Sequence, residues 1–315
     1  KSSIVTGFLC ENHPQAALLR SLIALVQQLS GAAHLGFTSG SNTAGAWMAG
    51  MVPHRTTAGK DVLTPGLDVQ LALLTKLKAY LLMGVEPGYD FDNPNGARQS
   101  MLGAEFVVML TAYCQDSMED YADVILPIAP FAETSGTYIN IDNTWQTVKG
   151  ALPPHGESRP AWKVLRVLGN LLQCKDFSYE STEDVLSEIK NLVATTLEKA
   201  YTPFYPEALP VVKQALVRMG EWPLYRIDAI LRNSKELQQC ASSESACIRI
   251  HPSTAEELKL DEFATVSQGD IEITLPLKRD ERIAPDVVWV ANALPETVDL
   301  GHSFAAITIK AIKQV

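Results

Sequence analysis

The sequence predicts an α/β protein in which a parallel sheet is followed by a helical segment and a strand-rich C-terminal part. Short apolar runs alternate with amphipathic stretches in the first half, which favours a parallel sheet covered by helices. Period-2 alternation of apolar residues dominates after residue 246. We divide the 315 residues into an α/β sheet domain at 1–175, a helical connector at 176–240 and a small C-terminal β domain at 241–315.

The first domain repeats a strand–helix pattern. Its predicted strands lie at 4–9, 33–37, 79–83, 105–111 and 122–126, and its predicted helices lie between 12 and 31, at 67–76 and at 95–102. Gly31 is predicted to end the first long helix, because glycine adopts the left-handed conformation found there. Thr137–Ile141 alternates in polarity before Asp142-Asn143, which predicts a β-hairpin with a tight turn.

The connector and the C-terminal domain differ in pattern. A helix is predicted to begin near Ser158-Arg159-Pro160, and a second follows Ser181-Thr182 with an apolar face from Val185 to Leu197. Tyr201–Pro210 holds three prolines and is predicted to be irregular, whereas Val211–Met219 is predicted to be helical. The predicted C-terminal strands lie at 247–251, 264–267, 271–277, 287–290 and 306–312.

Composition excludes several classes of function. A net charge of −10 argues against nucleic acid as a partner, because phosphate binding requires a basic face. No apolar run approaches the ~20 residues that a membrane-spanning helix needs, so we expect no direct insertion in a membrane. The chain begins at Lys1 without an initiator methionine, and we expect it to be part of a longer polypeptide.

A glycine-rich segment, GSNTAGAWMAGMVPHR at Gly40–Arg55, is the most suggestive motif, and we predict a loop there. Gly40 and Gly45 have the spacing of a P-loop, but Ala46-Trp47 stands where that motif needs lysine and serine or threonine. We therefore reject nucleotide hydrolysis. Because ligands bind at the carboxyl ends of parallel strands, a site would be expected near Gly40–Gly50, Gly84–Gly88 and Asp116.

Single residues that could carry chemistry are few. Glu133 has no carboxylate partner in sequence and is expected to accept a backbone hydrogen bond or to cap a turn. His155 lies in a Pro/Gly loop and is expected to be solvated or bonded to backbone. We assign no catalytic, cofactor-binding or metal-binding residue.

The five cysteines lie at 10, 114, 174, 240 and 247 and include no C-x-x-C pair. That spacing signals neither a zinc site nor a ferredoxin-type cluster. We predict free thiols, and we expect them to be buried, since apolar neighbours surround Cys10 and Cys174.

Residues 121–146, YADVILPIAPFAETSGTYINIDNTWQ, carry a family resemblance. The spacing of ADVILP, Glu133, GTYIN and Gln146 resembles the molybdopterin-oxidoreductase superfamily. The following PPHGESRPAWKVLRVL at 153–168 and PLYRIDAILRNSKELQ at 223–238 are similar to one branch, the large iron–sulfur subunit of bacterial NADH:quinone oxidoreductase, respiratory complex I.

The resemblance implies more than the residue patterns do. Asn42, Gly45, Gly50 and Pro53 match a loop, N-x-x-G…G…P, that approaches the pterin in the superfamily, while the complex I branch implies that no pterin is bound. The C-terminal domain would be the small β-barrel that ends these proteins. Iron–sulfur clusters would belong to an N-terminal part outside these residues.

The same resemblance implies partners and a location. The partners would be other subunits of the peripheral arm, at the cytoplasmic side of the bacterial inner membrane, in a complex that couples electron transfer from NADH to quinone with proton translocation. Two alternatives remain open: part of a molybdopterin-dependent enzyme of the formate dehydrogenase or nitrate reductase type, and a stand-alone nucleotide-binding module.

Overall fold

The structure, a computed structural model, describes residues 2–38, 40–194, 216–240, 243 and 245–312. Contacts divide the chain into two compact units. Unit one consists of Lys1–Gly84 and Phe106–Glu207, and unit two consists of Val85–Glu105 and Ala208–Val315. The predicted irregular stretch at 201–210 and residues 211–215 of the predicted helix lie outside the described residues. The division into segments 1–175, 176–240 and 241–315 stays a prediction.

Unit one contains two parallel sheets and a hairpin. Its strands are β1 (Ser3–Thr6), β2 (Ala33–Gly36), β3 (Ala79–Met83), β4 (Phe106–Thr111), β5 (Val124–Pro127), β6 (Gly136–Ile139) and β7 (Trp145–Val148). Strands β1 and β2 pair in parallel, β3–β4–β5 form a second parallel sheet, and β6–β7 is an antiparallel hairpin. The alternation of strands and helices therefore predicted the sheet type correctly.

The helices vary widely in length. They are α1 (Phe8–Glu11), α2 (Ala16–Ser30), α3 (Thr43–Ala49), α4 (Val69–Leu74), α5 (Pro87–Asp90), α6 (Pro94–Leu102), α7 (Ala161–Leu171), α8 (Thr182–Ala194), α9 (Ala229–Asn233), α10 (Lys235–Gln238) and α11 (Pro252–Glu257). Gly31 follows α2 with φ at +67°, so the predicted stop is confirmed. The glycine-rich segment, predicted to be a loop, contains helix α3, and that part of the prediction is wrong.

The core of unit one centres on strand β4. Val107, Met109 and Leu110 are almost completely buried. The Tyr80 hydroxyl donates a 2.9 Å hydrogen bond to the carbonyl oxygen of Ala72, which ties β3 to α4. Because buried apolar side chains and satisfied polar groups coincide here, the sheet is a firm support for the loops that follow its strands.

Unit two is built on one curled sheet. Its strands are β8 (Val217–Met219), β9 (Ile248–Ile250), β10 (Phe263–Gln268), β11 (Ile271–Arg279), β12 (Val287–Trp289) and β13 (Thr308–Ala311). They are ordered β13-β10-β11-β9-β12-β8 around a core that includes Ile248, Ile250 and Val266.

The two ends of this sheet are joined by backbone hydrogen bonds. Arg218 N donates to Ala305 O at 2.9 Å, and Ile307 N donates to Leu216 O at 2.9 Å, just before β13 begins. The predicted small β-barrel is therefore confirmed, in the form of a curled sheet. The predicted helix over Val211–Met219 is wrong for Val217–Met219, because these residues pair in parallel with β12 as strand β8.

A buried cation lies where the ends of this sheet meet. The Arg218 side chain donates to the carbonyl oxygens of Gly301 at 2.7 Å and of Val290 and Ala291 at 3.3 Å, and also to Asn292 Oδ1. Burial lowers the pKa of this guanidinium to about 10, so it stays charged at neutral pH. Carbonyl and amide oxygens therefore take the place of a carboxylate partner in direct contact.

We expect Arg218→Met to lower the free energy of unfolding by about 3 kcal/mol or more, because several buried acceptors lose their donor. Urea unfolding measures the effect. Lys310→Met is the control, because the Lys310 side chain on β13 is 63% exposed and lies 3.7 Å from Glu272. That control should change stability by no more than about 0.5 kcal/mol. Equal, small effects of the two substitutions would contradict the structural role given to Arg218.

Candidate functional site

Asn42 connects the glycine-rich segment to the hairpin. Its Oδ1 accepts a 2.8 Å hydrogen bond from Ile139 N, and its Nδ2 donates to Thr137 O at 3.4 Å. Both partners belong to strand β6, and Asn42 immediately precedes helix α3. The side-chain amide therefore fixes the start of α3 against β6 and has both of its polar groups engaged within unit one.

The two glycines of the loop motif are explained by close packing. A Cβ atom on Gly45 would collide with the Asn42 side-chain amide. Gly50 ends α3 with φ at +81°, and a Cβ there would lie 2.6 Å from the carbonyl carbon of Thr56. Both positions require glycine for these contacts alone. The geometry of the motif thus follows from its own packing.

A cavity of about 460 Å³ opens beside this segment, within unit one. Its walls come from α3, from β6 and β7, from the start of α7, and from α8. Val185, Leu186 and Ile189 of α8 form an apolar wall, and they belong to the apolar face predicted for this helix. The sequence predicted this apolar face but not the cavity that it lines.

The cavity lining is neutral. None of the described residues that line it carries a charged side chain. Two ammonium groups lie outside the lining, that of Lys163 at 5.5 Å from the Trp162 ring centre and that of Lys190 at 5.6 Å from the Trp145 ring centre. Phosphate groups bind where cations or clusters of backbone N–H groups face them. The lining therefore does not fit a pterin cofactor with a phosphate-bearing tail.

Glu133, His155 and Asp116 lie outside the cavity lining. Glu133 Oε2 accepts a 2.9 Å hydrogen bond from His155 N, which is the backbone-acceptor role predicted for Glu133. His155 and Asp116 are exposed, and Asp116 begins a single 3₁₀ turn. The structure thus brings Glu133 and His155 together through this one hydrogen bond, which links two segments of the chain.

A second group of ionisable side chains lies in unit two, next to the predicted Gly84–Gly88 position. Arg232 Nε donates to Glu86 Oε2 at 2.6 Å, and its Nη2 donates to Asp90 Oδ1 at 2.7 Å. The Tyr89 ring centre lies 5.3 Å from the guanidinium carbon. Sequence reasoning missed this group, because Glu86 and Arg232 are 146 residues apart.

Glu86 is the most deeply buried carboxyl of this group, with 1% of its surface exposed. Its Oε1 is buried and makes no hydrogen bond of normal geometry with a described residue. Burial raises the pKa of Glu86 above its ordinary value of 4.5, and the adjacent Arg232 opposes that rise. We interpret the group as an internal anchor of α5 on α9.

The cysteines are free, as predicted. Only Cys247 is buried, whereas Cys114 and Cys174 are exposed, so the expectation of buried thiols is wrong for these two. Cys174 follows the end of α7, where Gln173 has a positive φ of 56°. In the part of the chain that the structure describes, His, Cys, Asp and Glu form no group of three that could hold a metal. No described helix is both long and apolar enough to span a bilayer.

We expect Asn42→Ala to lower the free energy of unfolding of unit one by about 1–3 kcal/mol, because the buried Ile139 N–H loses its acceptor. Asn42→Asp, which keeps an oxygen facing Ile139, should cost less. Hydrogen exchange at the Ile139 amide is the direct readout and should be faster in Asn42→Ala. An unchanged exchange rate at Ile139 would show that the hydrogen bond from Ile139 N to Asn42 does not protect this amide.

The raised pKa of Glu86 predicts a pH effect. A carboxyl with a raised pKa in the folded state stabilises that state fully below its unfolded value, near 4.5, and this contribution is lost as the pH rises through the folded value. The neutral side chain of Glu86→Gln does not titrate. The stability of the Glu86→Gln variant, relative to that of the natural protein, should therefore improve as the pH rises above 4.5.

Urea unfolding at several pH values between about 4 and 8 measures this difference. Tyr89→Phe is the control, because it keeps the Glu86 carboxyl and an aromatic face beside Arg232, and it should follow the pH profile of the natural protein. A difference between Glu86→Gln and the natural protein that does not vary with pH would count against a raised pKa.

Comparisons with known proteins place this geometry in a family. The family model described as molybdopterin oxidoreductase matches residues 6–171. Acetylene hydratase from Pelobacter acetylenicus has a similar structure, with a TM-score of 0.56 and 13% identity, over 82% of this chain and 48% of that chain. This likeness supports the predicted fold class, an α/β sheet domain followed by a small β-barrel.

Sequence relatives fall in two groups. A candidate formate dehydrogenase of Bacillus subtilis is 28% identical over 141 residues, which are 44% of this chain and 14% of that protein. The mitochondrial 78 kDa subunit of NADH-ubiquinone oxidoreductase from Candida albicans is 30% identical over 42% of this chain and 17% of that protein. The 75 kDa subunit of NADH-ubiquinone oxidoreductase from Reclinomonas americana is 29% identical over 44% of this chain and 21% of that protein.

The alignments thus span less than a quarter of each of these curated relatives. The family model, in contrast, covers just over half of this chain and includes the segment with Asn42, Gly45 and Gly50 and the hairpin β6–β7. The protein belongs to the molybdopterin oxidoreductase family.

Proposed function

We propose that this chain is the C-terminal portion, without iron–sulfur clusters, of the iron–sulfur subunit of NADH:quinone oxidoreductase. In this role it is a scaffold rather than a redox site. Electrons would pass from NADH to quinone through clusters held by an N-terminal part of the subunit, in a complex that couples the transfer to proton translocation. Its partners would be other subunits of the peripheral arm, at the cytoplasmic side of the bacterial inner membrane.

The observation that carries the proposal is the chemistry of the glycine-rich segment. The resemblance implies that in a pterin enzyme this loop approaches the cofactor. Here both polar groups of the Asn42 side-chain amide are hydrogen-bonded to the backbone of strand β6. The adjoining cavity has an uncharged lining. The 75 kDa and 78 kDa relatives support the same branch of the family.

A scaffold contributes to electron transfer through its packing. Solvent exposure and hydrogen bonding set the potential of an iron–sulfur cluster, so a rigid protein layer beside a cluster affects its chemistry. The buried core around β4 and the curled sheet of unit two are suited to that role. No redox or proton-transfer step is assigned to these residues.

The alternative is a portion of a molybdopterin-dependent oxidoreductase of the formate dehydrogenase or nitrate reductase type. The match to the Bacillus subtilis relative and the family model favour it. In that case a pterin would have to bind outside the neutral cavity of unit one.

Metal analysis separates the two readings. The full-length protein that contains these 315 residues is produced in a host that makes molybdopterin and is analysed for molybdenum, tungsten and phosphorus. We expect none of them in stoichiometric amount. One molybdenum or tungsten per chain would contradict the proposal and favour the alternative.

Affinity capture tests the scaffold role directly. The tagged chain, expressed in a bacterium with NADH:quinone oxidoreductase, should retain peripheral-arm subunits that a tagged unrelated protein does not retain. If the tagged chain retains no peripheral-arm subunit, this result would count against the scaffold role.

A thermal-shift measurement tests the nucleotide-binding module. A rise of several degrees in the melting temperature of the chain with NAD, FMN or ATP would support that module instead.

A further inference from the structure

The cavity of unit one has hydrogen-bond donors without partners. Tyr138, Trp145 and Trp162 line it and are half-buried. Their side-chain O–H and N–H groups make no hydrogen bond with another described residue. Tyrosine and tryptophan usually find a partner for this group when they are buried. Here the three donor atoms are not buried themselves, so each of them can bind an acceptor that enters the cavity.

The serine and threonine hydroxyl groups of the same lining each have at least one hydrogen-bond partner. Thr137 Oγ1 lies 3.0 Å from Thr147 Oγ1, and Thr134 Oγ1 donates to Pro130 O at 3.1 Å. Ser135 Oγ accepts a 3.2 Å hydrogen bond from Gly150 N. Among the described polar side chains of the lining, those without any hydrogen-bond partner are therefore the aromatic donors.

We propose that this cavity binds a neutral, flat, largely apolar small molecule that carries carbonyl-type acceptors. The volume of about 460 Å³ lies in the range of small-molecule sites. The uncharged lining favours a neutral ligand over an ionic one, because no lining side chain could neutralise a charge on the ligand. The aromatic rings provide faces for a flat ligand, and α8 contributes an apolar wall.

This inference goes beyond the scaffold role and does not depend on it. A ligand held between α3, the hairpin and α8 would strengthen the packing of these elements. It would do so whether the whole protein belongs to a respiratory complex or to a pterin enzyme. Its test therefore uses binding alone and needs no assembled complex.

The probes are 9-fluorenone, a neutral three-ring ketone, and fluorene, the matched hydrocarbon without the acceptor. Equilibrium dialysis against the full 315-residue chain measures both affinities. We expect both to bind, and we expect the ketone to respond to loss of a donor. Tyr138→Phe, Trp145→Phe and Trp162→Phe each remove one donor and keep an aromatic ring.

At least one of these substitutions should weaken fluorenone binding about threefold to tenfold, the usual effect of one hydrogen bond, while fluorene binding changes less than about twofold. Fluorene thus reports any change in packing caused by the substitution. Far-UV circular dichroism establishes that each variant is folded.

A cavity-filling pair locates the site. Ala46→Leu on α3 narrows the cavity and should remove detectable binding of both probes. Ala44→Leu, the same substitution in the same helix but outside the lining, should leave both affinities unchanged.

Three outcomes would overturn the proposal. The first is that neither probe binds. The second is that Ala46→Leu and Ala44→Leu bind both probes equally well, which would place binding elsewhere. The third is that no donor substitution affects fluorenone more than fluorene, which would leave an apolar pocket without the proposed acceptor recognition.

Discussion

The two hydrogen bonds of the Asn42 amide hold helix α3 against strand β6 in unit one. Helix α3 has seven residues and is too short to be stable by itself. It is held at its start by the bonds to Ile139 N and Thr137 O, and at its end by the close turn at Gly50. The cavity beside it exists because this helix is kept against strand β6. The positions of Gly45 and Gly50 follow from the same constraint.

Unit two uses buried charge in two ways. Arg218 is surrounded by carbonyl and amide oxygens, and burial alone lowers its pKa without neutralising it. Arg232 instead faces two carboxylates, and the more buried of them, Glu86, has its pKa raised by desolvation. Both arrangements join segments distant in sequence, since a buried cation needs acceptors from several of them.

Membership of the molybdopterin oxidoreductase family establishes an ancestry and a fold, but chemistry depends on the groups that a site presents. Asn42, Gly45, Gly50 and Pro53 are the residues by which the glycine-rich segment resembles the family's loop motif. Its polar group is nevertheless directed to the protein's own hairpin, and the neighbouring cavity is uncharged. A motif can therefore persist because it packs well, and its presence alone does not identify a bound cofactor.

The sequence by itself determined the elements whose signals are local. Strands β3 and β4 are continuous apolar runs, α2 ends at Gly31, and the hairpin turns at Asp142-Asn143, where Asn143 has a positive φ. The resemblance in residues 121–168 and 223–238 pointed to the family. These features depend on neighbouring residues, so they can be read along the chain.

Only the tertiary structure decided the rest. Strand β8 exists because it pairs with β12, and helix α3 forms within a glycine-rich stretch because β6 anchors it. The cavity joins residues from Asn42 to Ile189, and the anchor of unit two joins Glu86 to Arg232. Such contacts depend on partners more than a hundred positions away or on another strand. Local propensity carries no information about them, because their energy appears only when the segments meet.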